Sequence, residues 1–122
     1  MDTDVNDFLP LSPASLHILL ALAGEDLHGY AIMQEIAHQS DGKYKIGPGT
    51  LYDNLQKLIQ RKWVDELGRR QNDDDPRRRY YRLTSLGCRV LAAETARLAE
   101  VVREARSRLQ SAKPLSTRLR RT

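Results

Sequence analysis

The sequence has little of the chemistry on which most enzymes, secreted proteins and membrane proteins depend. It contains a single cysteine, Cys88, which excludes an intramolecular disulfide and a cysteine-based metal site and is typical of a reducing compartment. Its three histidines, His17, His28 and His38, lie far apart along the chain without metal-ligand spacing. No apolar run approaches the length of a membrane span, and the first residues do not resemble a signal peptide. We therefore expect a cytoplasmic protein with no metal, no cofactor and no catalytic function.

The formal net charge of +4 is weak evidence for nucleic acid binding until it is divided along the chain. Residues 113–122 hold four basic residues and no acidic ones, so that residues 1–112 sum to zero. Residues 1–60 hold three lysines against eight acids, a balance of −5, whereas residues 61–82 hold eight basic residues against five acids, a balance of +3. A basic strip therefore begins after residue 60, and this polarity favours a nucleic acid partner.

Helix caps and apolar spacing predict four helices, and two short segments rich in aromatic and branched residues predict a β-hairpin. The helices are expected at about 12–23, 28–39, 49–61 and 84–110, and the strands at 63–70 and 77–84. The predicted fold is mainly α with a small β-hairpin (α+β), because this order of elements is that of a winged helix-turn-helix. We expect Trp63 to lie in the core, and one of the adjacent Tyr80 and Tyr81 to face it.

The chain is expected to form one domain with four parts. These are an N-terminal lead (1–10) that ends in Phe8 and Leu9, both able to dock, a winged helix-turn-helix DNA-binding domain (11–83), a C-terminal dimerisation helix (84–110) and a basic disordered tail (111–122).

A Gly-Pro-Gly corner, residues 47–49, leads directly into the third predicted helix. It matches neither a phosphate loop nor a dinucleotide fingerprint, because the required lysine spacing and a preceding parallel sheet are both missing. Its glycines allow a sharp turn, and the helix-start amides near Gly49 suit a DNA backbone phosphate. The outward face of the helix carries side chains able to contact base edges or phosphates: Thr50, Asp53, Gln56 and Lys57. The alternative is a solvated face on which Asp53 and Lys57 form an ion pair.

Three segments, in this order and spacing, resemble the PadR family of bacterial transcriptional regulators: LHGYAIMQEI, GTLYDNLQKLIQRKWV and RRYYRLTSLGCRVL. The resemblance covers about residues 11–109 and implies a dimeric winged-helix repressor whose long C-terminal helix makes much of the dimer contact. It also implies that the start of the second helix lies near the DNA backbone, at His28, Gly29 and Tyr30. On the recognition helix it implies DNA contacts by Thr50, Tyr52 and Lys57.

The wing departs from the family pattern, because its tip carries Asp73 to Asp75 where glycine or lysine is common. Carboxylates are repelled by phosphates, so the neighbouring Arg77, Arg78 and Arg79 are the better DNA-binding candidates. Alternatively, these arginines only pair with the acids of the tip on the surface.

Some family members bind flat aromatic compounds between subunits, but residues 84–110 contain no Phe, Tyr or Trp. Any small-molecule inducer is therefore of unknown identity.

The combined prediction is a homodimeric repressor that binds double-stranded DNA at a palindromic operator. The predicted DNA-binding residues are His28, Gly29, Tyr30, Gly49, Thr50, Tyr52, Asp53, Gln56, Lys57, Arg77, Arg78 and Arg79. The predicted dimerisation residues are Leu16, Leu20, Leu91, Leu98, Val102, Ala105 and Leu109. Two alternatives remain: a winged-helix protein-interaction module without DNA binding, and a redox sensor built on Cys88. For Cys88 itself, a buried and inert side chain is expected.

Overall fold

Four helices and a small antiparallel sheet make up the part of the chain that the computed structural model describes, residues 4–68, 75 and 78–111. The helices are α1 (Pro13–Leu22), α2 (Gly29–Gln39), α3 (Pro48–Gln60) and α4 (Ser85–Ser111), and the strands are β1 (Leu27–His28), β2 (Val64–Leu67) and β3 (Tyr80–Leu83). The four predicted helices and two predicted strands are confirmed, with modest differences at their ends. Residues 112–122 of the predicted tail, and Arg77, Asp73 and Asp74 of the wing, lie outside the described residues.

Two of the three helices of the N-terminal half begin at side-chain caps. Ser12 caps α1 through its hydroxyl, and His28 caps α2 through Nδ1. By contrast, Gly47 at the start of α3 provides no side-chain cap, which leaves the first amides of that helix open to an outside acceptor. Neither Gly47 nor Gly49 has a positive φ, so the approach to α3 does not use the left-handed conformation that favours glycine. The left-handed glycine of this region is Gly42, in the turn between α2 and α3, with φ of 75°.

The sheet contains one strand that the sequence did not predict. The two residues of β1, Leu27 and His28, pair with Tyr81 and Tyr80 of β3. Because β3 also pairs with β2, the strand order is β1-β3-β2. A two-residue strand is too short to produce an alternating sequence pattern, and it forms here because the chain entering α2 runs beside β3. The start of α2 is thereby tied to the wing, the hairpin of β2 and β3.

The core lies between the helices and the inner face of the sheet. Trp63 is 1% exposed and Tyr81 is 6% exposed, whereas Tyr80 is only half-buried, so both predictions for these aromatic residues are confirmed. The apolar face of α3 is fully buried through Leu51, Leu55 and Leu58. Each such leucine contributes about 2 kcal/mol of hydrophobic stabilisation. With this face in the core, the polar face of α3 must point to solvent.

The N-terminal lead is docked on the body. A 3-10 helix, Val5–Phe8, contacts α4. The ring of Phe8 meets that of Trp63 edge-on, with 5.2 Å between centroids, and the guanidinium of Arg61 lies 5.1 Å from the Trp63 ring. Leu9 is half-buried against the core. The predicted docking of Phe8 and Leu9 is therefore confirmed, but the preceding residues are more ordered than a loose lead.

A buried carboxylate joins this N-terminal segment to α4. Glu94 is 1% exposed, and its Oε2 accepts a hydrogen bond from the amide of Leu11 (2.9 Å). Arg97 donates to both carboxylate oxygens, at 2.5 and 3.1 Å. The Arg97 guanidinium, helped by the Leu11 amide, holds the pKa of Glu94 below its usual value, although burial acts in the opposite direction. Glu94 is therefore satisfied as an ion inside the fold.

The apolar stripe of α4 starts in the core and continues on an exposed surface. Leu91 is 9% exposed and packs in the core, Leu98 is half-buried, and Val102 and Leu109 are 46% and 67% exposed. The prediction that Leu91 contacts a partner therefore needs correction, because the chain's own core already covers it. The part of the stripe available to a second copy begins at Leu98 and includes Ala105.

Cys88 is exposed, so the prediction of a buried side chain is wrong. The reason is the rotational orientation of α4 about its own axis. Gly87 takes the position that faces the corner between α3 and β2, where a Cβ would lie 2.1 Å from the carbonyl oxygen of Trp63. The next residue along the helix turns away from that contact and towards solvent.

Candidate nucleic-acid interface

A cleft of about 380 Å³ lies between the start of α2, α3 and the wing. The residues that line it are His28, Gly29, Tyr30, Tyr52, Asp75, Arg78, Arg79 and Tyr81. All of them except Asp75 and Tyr81 belong to the DNA-binding set predicted from the sequence. The fold therefore brings together predicted residues from three separate segments of the chain, and it adds an acid and the phenol of a buried tyrosine that sequence patterns did not mark as site residues.

His28 lies at the junction of α2 and the wing. Its Nδ1 accepts from the amide of Ala31 (3.2 Å), so the neutral imidazole carries its proton on Nε2. Its ring lies edge-on to that of Tyr80, with 5.4 Å between centroids, and the backbones of these two residues pair in the sheet. The imidazole is therefore oriented by α2 on one side and by β3 on the other.

Gly29 leaves space for the phenol of Tyr52. A Cβ on Gly29 would lie 2.2 Å from the Tyr52 hydroxyl oxygen and 2.9 Å from its Cζ. The glycine is buried, while Tyr52 remains 47% exposed and Tyr30 60% exposed. Gly29 thus allows α3 to approach the start of α2 through Tyr52.

One arginine of the wing, Arg79, makes a contact other than the one expected from the sequence. Arg79 pairs with Glu66 of β2 (3.4 Å), and the backbone amide of Arg78 donates to the carbonyl of Asp75 (3.1 Å). The alternative in which the arginines pair with the acids of the tip therefore does not describe Arg79. Because Glu66 lies across the hairpin from the cleft-lining strand, it holds Arg79 beside the cleft.

Tyr81 is the least exposed of the three tyrosines that line the cleft. Burial raises the pKa of its hydroxyl, and the nearby Glu66 carboxylate acts in the same direction, while Arg79 opposes both. Tyr81 therefore keeps its proton well above neutral pH and can serve as a hydrogen-bond donor.

The polar face of α3 is exposed as predicted, at Thr50, Asp53, Gln56 and Lys57. The carbonyl of Thr50 accepts from the side-chain amide of Asn54 (2.8 Å). Within the described residues Asp53 and Lys57 form no ion pair. A Cβ on Gly49 would meet no atom within 4 Å, so the start of this helix is open.

Comparison with known proteins identifies the family. The model of the "Transcriptional regulator PadR-like family" matches residues 18–93. The chain belongs to this family. The transcriptional regulator Rv3488 of Mycobacterium tuberculosis is 34% identical over 91 residues, which cover 73% of this chain and 78% of that protein. An uncharacterised protein X of Lysinibacillus sphaericus is 37% identical over 84 residues, which cover 69% of this chain and 76% of that protein.

Solved structures confirm the winged-helix fold of this PadR-like chain. A PadR family regulator from Clostridium difficile superposes with a TM-score of 0.69 at 19% identity, covering 80% of this chain and 99% of that one. Bacillus subtilis PadR, solved in complex with operator DNA, superposes with a TM-score of 0.60 at 21% identity, covering 69% of this chain and 46% of that one. At these identities the likeness establishes the fold.

Several residues that identified the PadR-like chain have structural tasks. Arg82 holds Asp26 through two hydrogen bonds of 2.8 and 3.2 Å, which joins β3 to the segment before β1. Thr84 donates to the carbonyl of Lys62 (2.7 Å) and accepts from the amide of Gly87 (2.9 Å). The signature at residues 81–87 therefore fixes the wing and the start of α4.

The described part of this PadR-like chain was also compared with the requirements of a membrane span and of a metal site. None of its helices there is both long and apolar enough to cross a membrane. The same residues contain no cluster of three or more histidine, cysteine or acidic side chains suited to a metal ion.

Proposed function

We propose that this PadR-like regulator is a homodimeric repressor without enzymatic activity that binds a palindromic operator. The observation that carries the proposal is the cleft, which gathers the start of α2, the recognition helix and the wing arginines next to the exposed polar face of α3. Phosphate contacts set the register of a protein on DNA, and side chains in the major groove read the sequence. Here the candidate phosphate contacts in the cleft and the candidate base contacts on the polar face of α3 lie on neighbouring surfaces.

Sequence reading is assigned to α3. Inserted in a major groove, Gln56 can pair with adenine and Lys57 with guanine or a phosphate, while Thr50 can contact a phosphate or a thymine methyl group. Asp53 can accept from a cytosine amino group, because no ion pair with Lys57 occupies it within the described residues. The uncapped amides at Gly49 are aimed at the DNA backbone.

Backbone positioning is assigned to the cleft. His28 lines the cleft at the start of α2, Tyr30 and Tyr52 offer exposed hydroxyls, and Arg78 and Arg79 supply positive charge from the wing. Gly29 acts indirectly, because its missing side chain leaves room for the phenol of Tyr52. Arg77 keeps its predicted role as a phosphate contact.

Dimerisation is assigned to the exposed stripe of α4 together with one face of α1. The stripe of Leu98, Val102, Ala105 and Leu109 continues the buried face of the same helix, so a second copy would extend the existing core. Leu20 of α1 is 40% exposed and Leu16 is half-buried, which is consistent with contact to a partner. A two-fold dimer presents two recognition helices and so requires an inverted repeat.

The test is selection of bound duplexes from a random library, followed by titration at several salt concentrations. We expect an inverted repeat with half-sites about one helical turn apart. Lys57→Ala should weaken binding and reduce the salt slope by about one, because one fewer phosphate is neutralised. Arg103→Ala is the matched control, because it removes one positive charge from the exposed C-terminal half of α4.

Equal slopes for Lys57→Ala and the wild type would remove Lys57 from the phosphate contacts. Failure to enrich any duplex, with a folded protein, would contradict the proposed function and favour the alternative of a protein-interaction module.

A further inference from the structure

The basic residues of the first half of the chain are concentrated around the start of α3. Residues 1–60 hold eight acidic residues and only three basic ones, and these three are Lys43, Lys45 and Lys57. Lys57 belongs to the polar face of α3, whereas Lys43 and Lys45 lie in the loop that leads from α2 to α3. In a half of the chain with a balance of −5, this loop therefore carries a local positive charge directly before the recognition helix.

The loop between α2 and α3 is anchored at Tyr44. The ring of Tyr44 stacks on that of His17 in α1, with 4.4 Å between centroids. The amide of Tyr44 donates to Oγ of Ser40, and its carbonyl accepts from the same hydroxyl, both at 3.0 Å. The amide of Lys43 donates to the carbonyl of Ser40, also at 3.0 Å. The backbone that carries the two lysines is therefore fixed to the end of α2.

The lysine side chains of this loop are directed to solvent and have no partner there. Tyr44 and Ile46 pack against the core, and Lys43 and Lys45, which alternate with them, are exposed. Among the residues that the structure describes, neither lysine forms an ion pair or a side-chain hydrogen bond. Their charge is therefore available to an anion outside the protein.

The two lysines lie beside the open start of α3 and apart from the cleft. Lys45 precedes Gly47, which gives α3 no side-chain cap, and the backbone from Lys45 to Pro48 can span at most about 11 Å. Neither lysine is among the residues that line the cleft. A row of two ammonium groups followed by free amides suits neighbouring anions along a polymer, since lysine binds phosphate as a compact point charge.

We propose that Lys43 and Lys45 bind DNA backbone phosphates at the start of α3, at positions different from those that the cleft contacts. The inference rests on the proposed function, because the polyanion is the duplex that the recognition helix enters. Both lysines contribute affinity without reading bases. The recognition helix is thereby held on the DNA backbone from two places, the loop that precedes it and the cleft between α2 and the wing.

The first experiment titrates the selected operator and an unrelated duplex at several salt concentrations with Lys43→Gln, Lys45→Gln and the double variant. Each single change should weaken binding to both duplexes by roughly threefold to fivefold, as for an exposed ion pair. The salt slope should fall by about one per protomer for each lysine removed. Lys45→Arg keeps the charge and should keep the slope.

Arg89→Gln is the matched control for these variants. Arg89 is exposed on α4 and, within the described part of the chain, forms no ion pair, so its removal deletes one free cation far along the sequence from the loop. It should leave affinity and salt slope unchanged. Thermal unfolding of every variant checks that the fold is intact.

The second experiment locates the contacted phosphates. Neutral methylphosphonates replace the operator phosphates one at a time, and a replacement at a contacted position weakens binding by the wild type. Lys45→Gln should become insensitive to one of these positions, and Arg79→Gln of the cleft should become insensitive to a different one. Loss of the same position by both variants would overturn the separate contact.

The two experiments separate this inference from the proposed function. If the wild type binds an inverted repeat while the double lysine variant keeps its salt slope and all its sensitive phosphates, the loop contact is wrong and the proposed function stands. If no duplex binds the folded wild type, the proposed function fails and the loop contact fails with it.

Discussion

At the scale of single residues, Gly29 and Tyr52 act as a pair. The sequence assigns both to DNA, but the structure gives Gly29 a different reason to be glycine. Its missing side chain accommodates the phenol of Tyr52, whose hydroxyl oxygen would lie 2.2 Å from a Cβ at this position. The pair sets the distance between α3 and the start of α2.

A double-mutant cycle tests this pairing. Gly29→Ala should destabilise the wild type by about 1–3 kcal/mol through overpacking against Tyr52. In a Tyr52→Ala background the same change should be neutral or stabilising, because the closest obstructing atoms are gone and alanine favours helix more than glycine does. Urea unfolding of the four proteins measures the coupling. Additive effects would show that Gly29 is needed for some other reason.

The residues of the candidate site were predicted from two kinds of signal. The resemblance to the PadR family implied His28 and Tyr52, whereas Gln56 and Lys57 were indicated by the donors on the outward face of the third helix, and the order of the segments indicated the fold. The place of Tyr81 in the lining of the cleft was not predicted, because the sequence pattern of β3 does not show that its core-facing tyrosine also reaches the cleft. The exposure of Cys88 was missed for a related reason: it depends on which side of α4 meets Trp63, and Gly87 decides that.

At the scale of elements, the N-terminal segment and α4 are joined by one buried ion. The sequence indicated that Phe8 would dock, but it gave no sign that Glu94 would accept the amide of Leu11, because the two lie 83 residues apart. Long-range polar contacts of this kind produce no periodic pattern in the sequence. The strand β1 also has no sequence pattern that would predict it, because it is defined by its pairing with β3.

The Glu94 contact predicts a pH-dependent loss of stability. Its pKa is lowered in the folded protein, so its contribution is complete above the unfolded pKa of about 4.3 and is lost as pH falls through the lowered value. Glu94→Gln should therefore lower Tm at neutral pH by roughly 4 °C, and the difference from the wild type should shrink in acid. Thermal unfolding between pH 3 and 7 provides the measurement.

Glu100→Gln is the control for this prediction, because Glu100 makes the same kind of contact with an arginine three residues on, but on the exposed surface. Such a surface pair contributes little, so its removal should hardly change Tm. A constant difference between Glu94→Gln and the wild type across the pH range would mean that packing, not charge, is responsible.

At the scale of the whole molecule, one helix carries both the folding core and the proposed dimer contact. The apolar stripe of α4 passes from Leu91, which the chain covers itself, to Leu109, which is 67% exposed. Periodicity alone predicted the stripe as one interface, since it does not reveal where the body of the chain ends. The structure divides the stripe, and the division allows dimerisation to be disrupted without disturbing the fold.

Val102→Asp tests whether the exposed part of the apolar stripe of α4 forms the dimer contact. Val102 lies on the exposed part of the stripe, so a carboxylate there should leave the monomer folded but prevent a second copy from packing. Ser107→Asp adds the same charge to α4 outside the apolar stripe and should remain dimeric. Light scattering after gel filtration measures the mass of each. A dimer of Val102→Asp at low concentration would place the interface elsewhere.

The same variant links assembly to DNA recognition. A dimer that bridges two half-sites can no longer reach both of them when half a helical turn, about 5 bp, is inserted between them, because the second half-site rotates to the other face of the duplex. The wild type and Ser107→Asp should bind such a DNA at least about tenfold more weakly. Val102→Asp should bind the inverted repeat weakly and be indifferent to the insertion, since a monomer senses only one half-site.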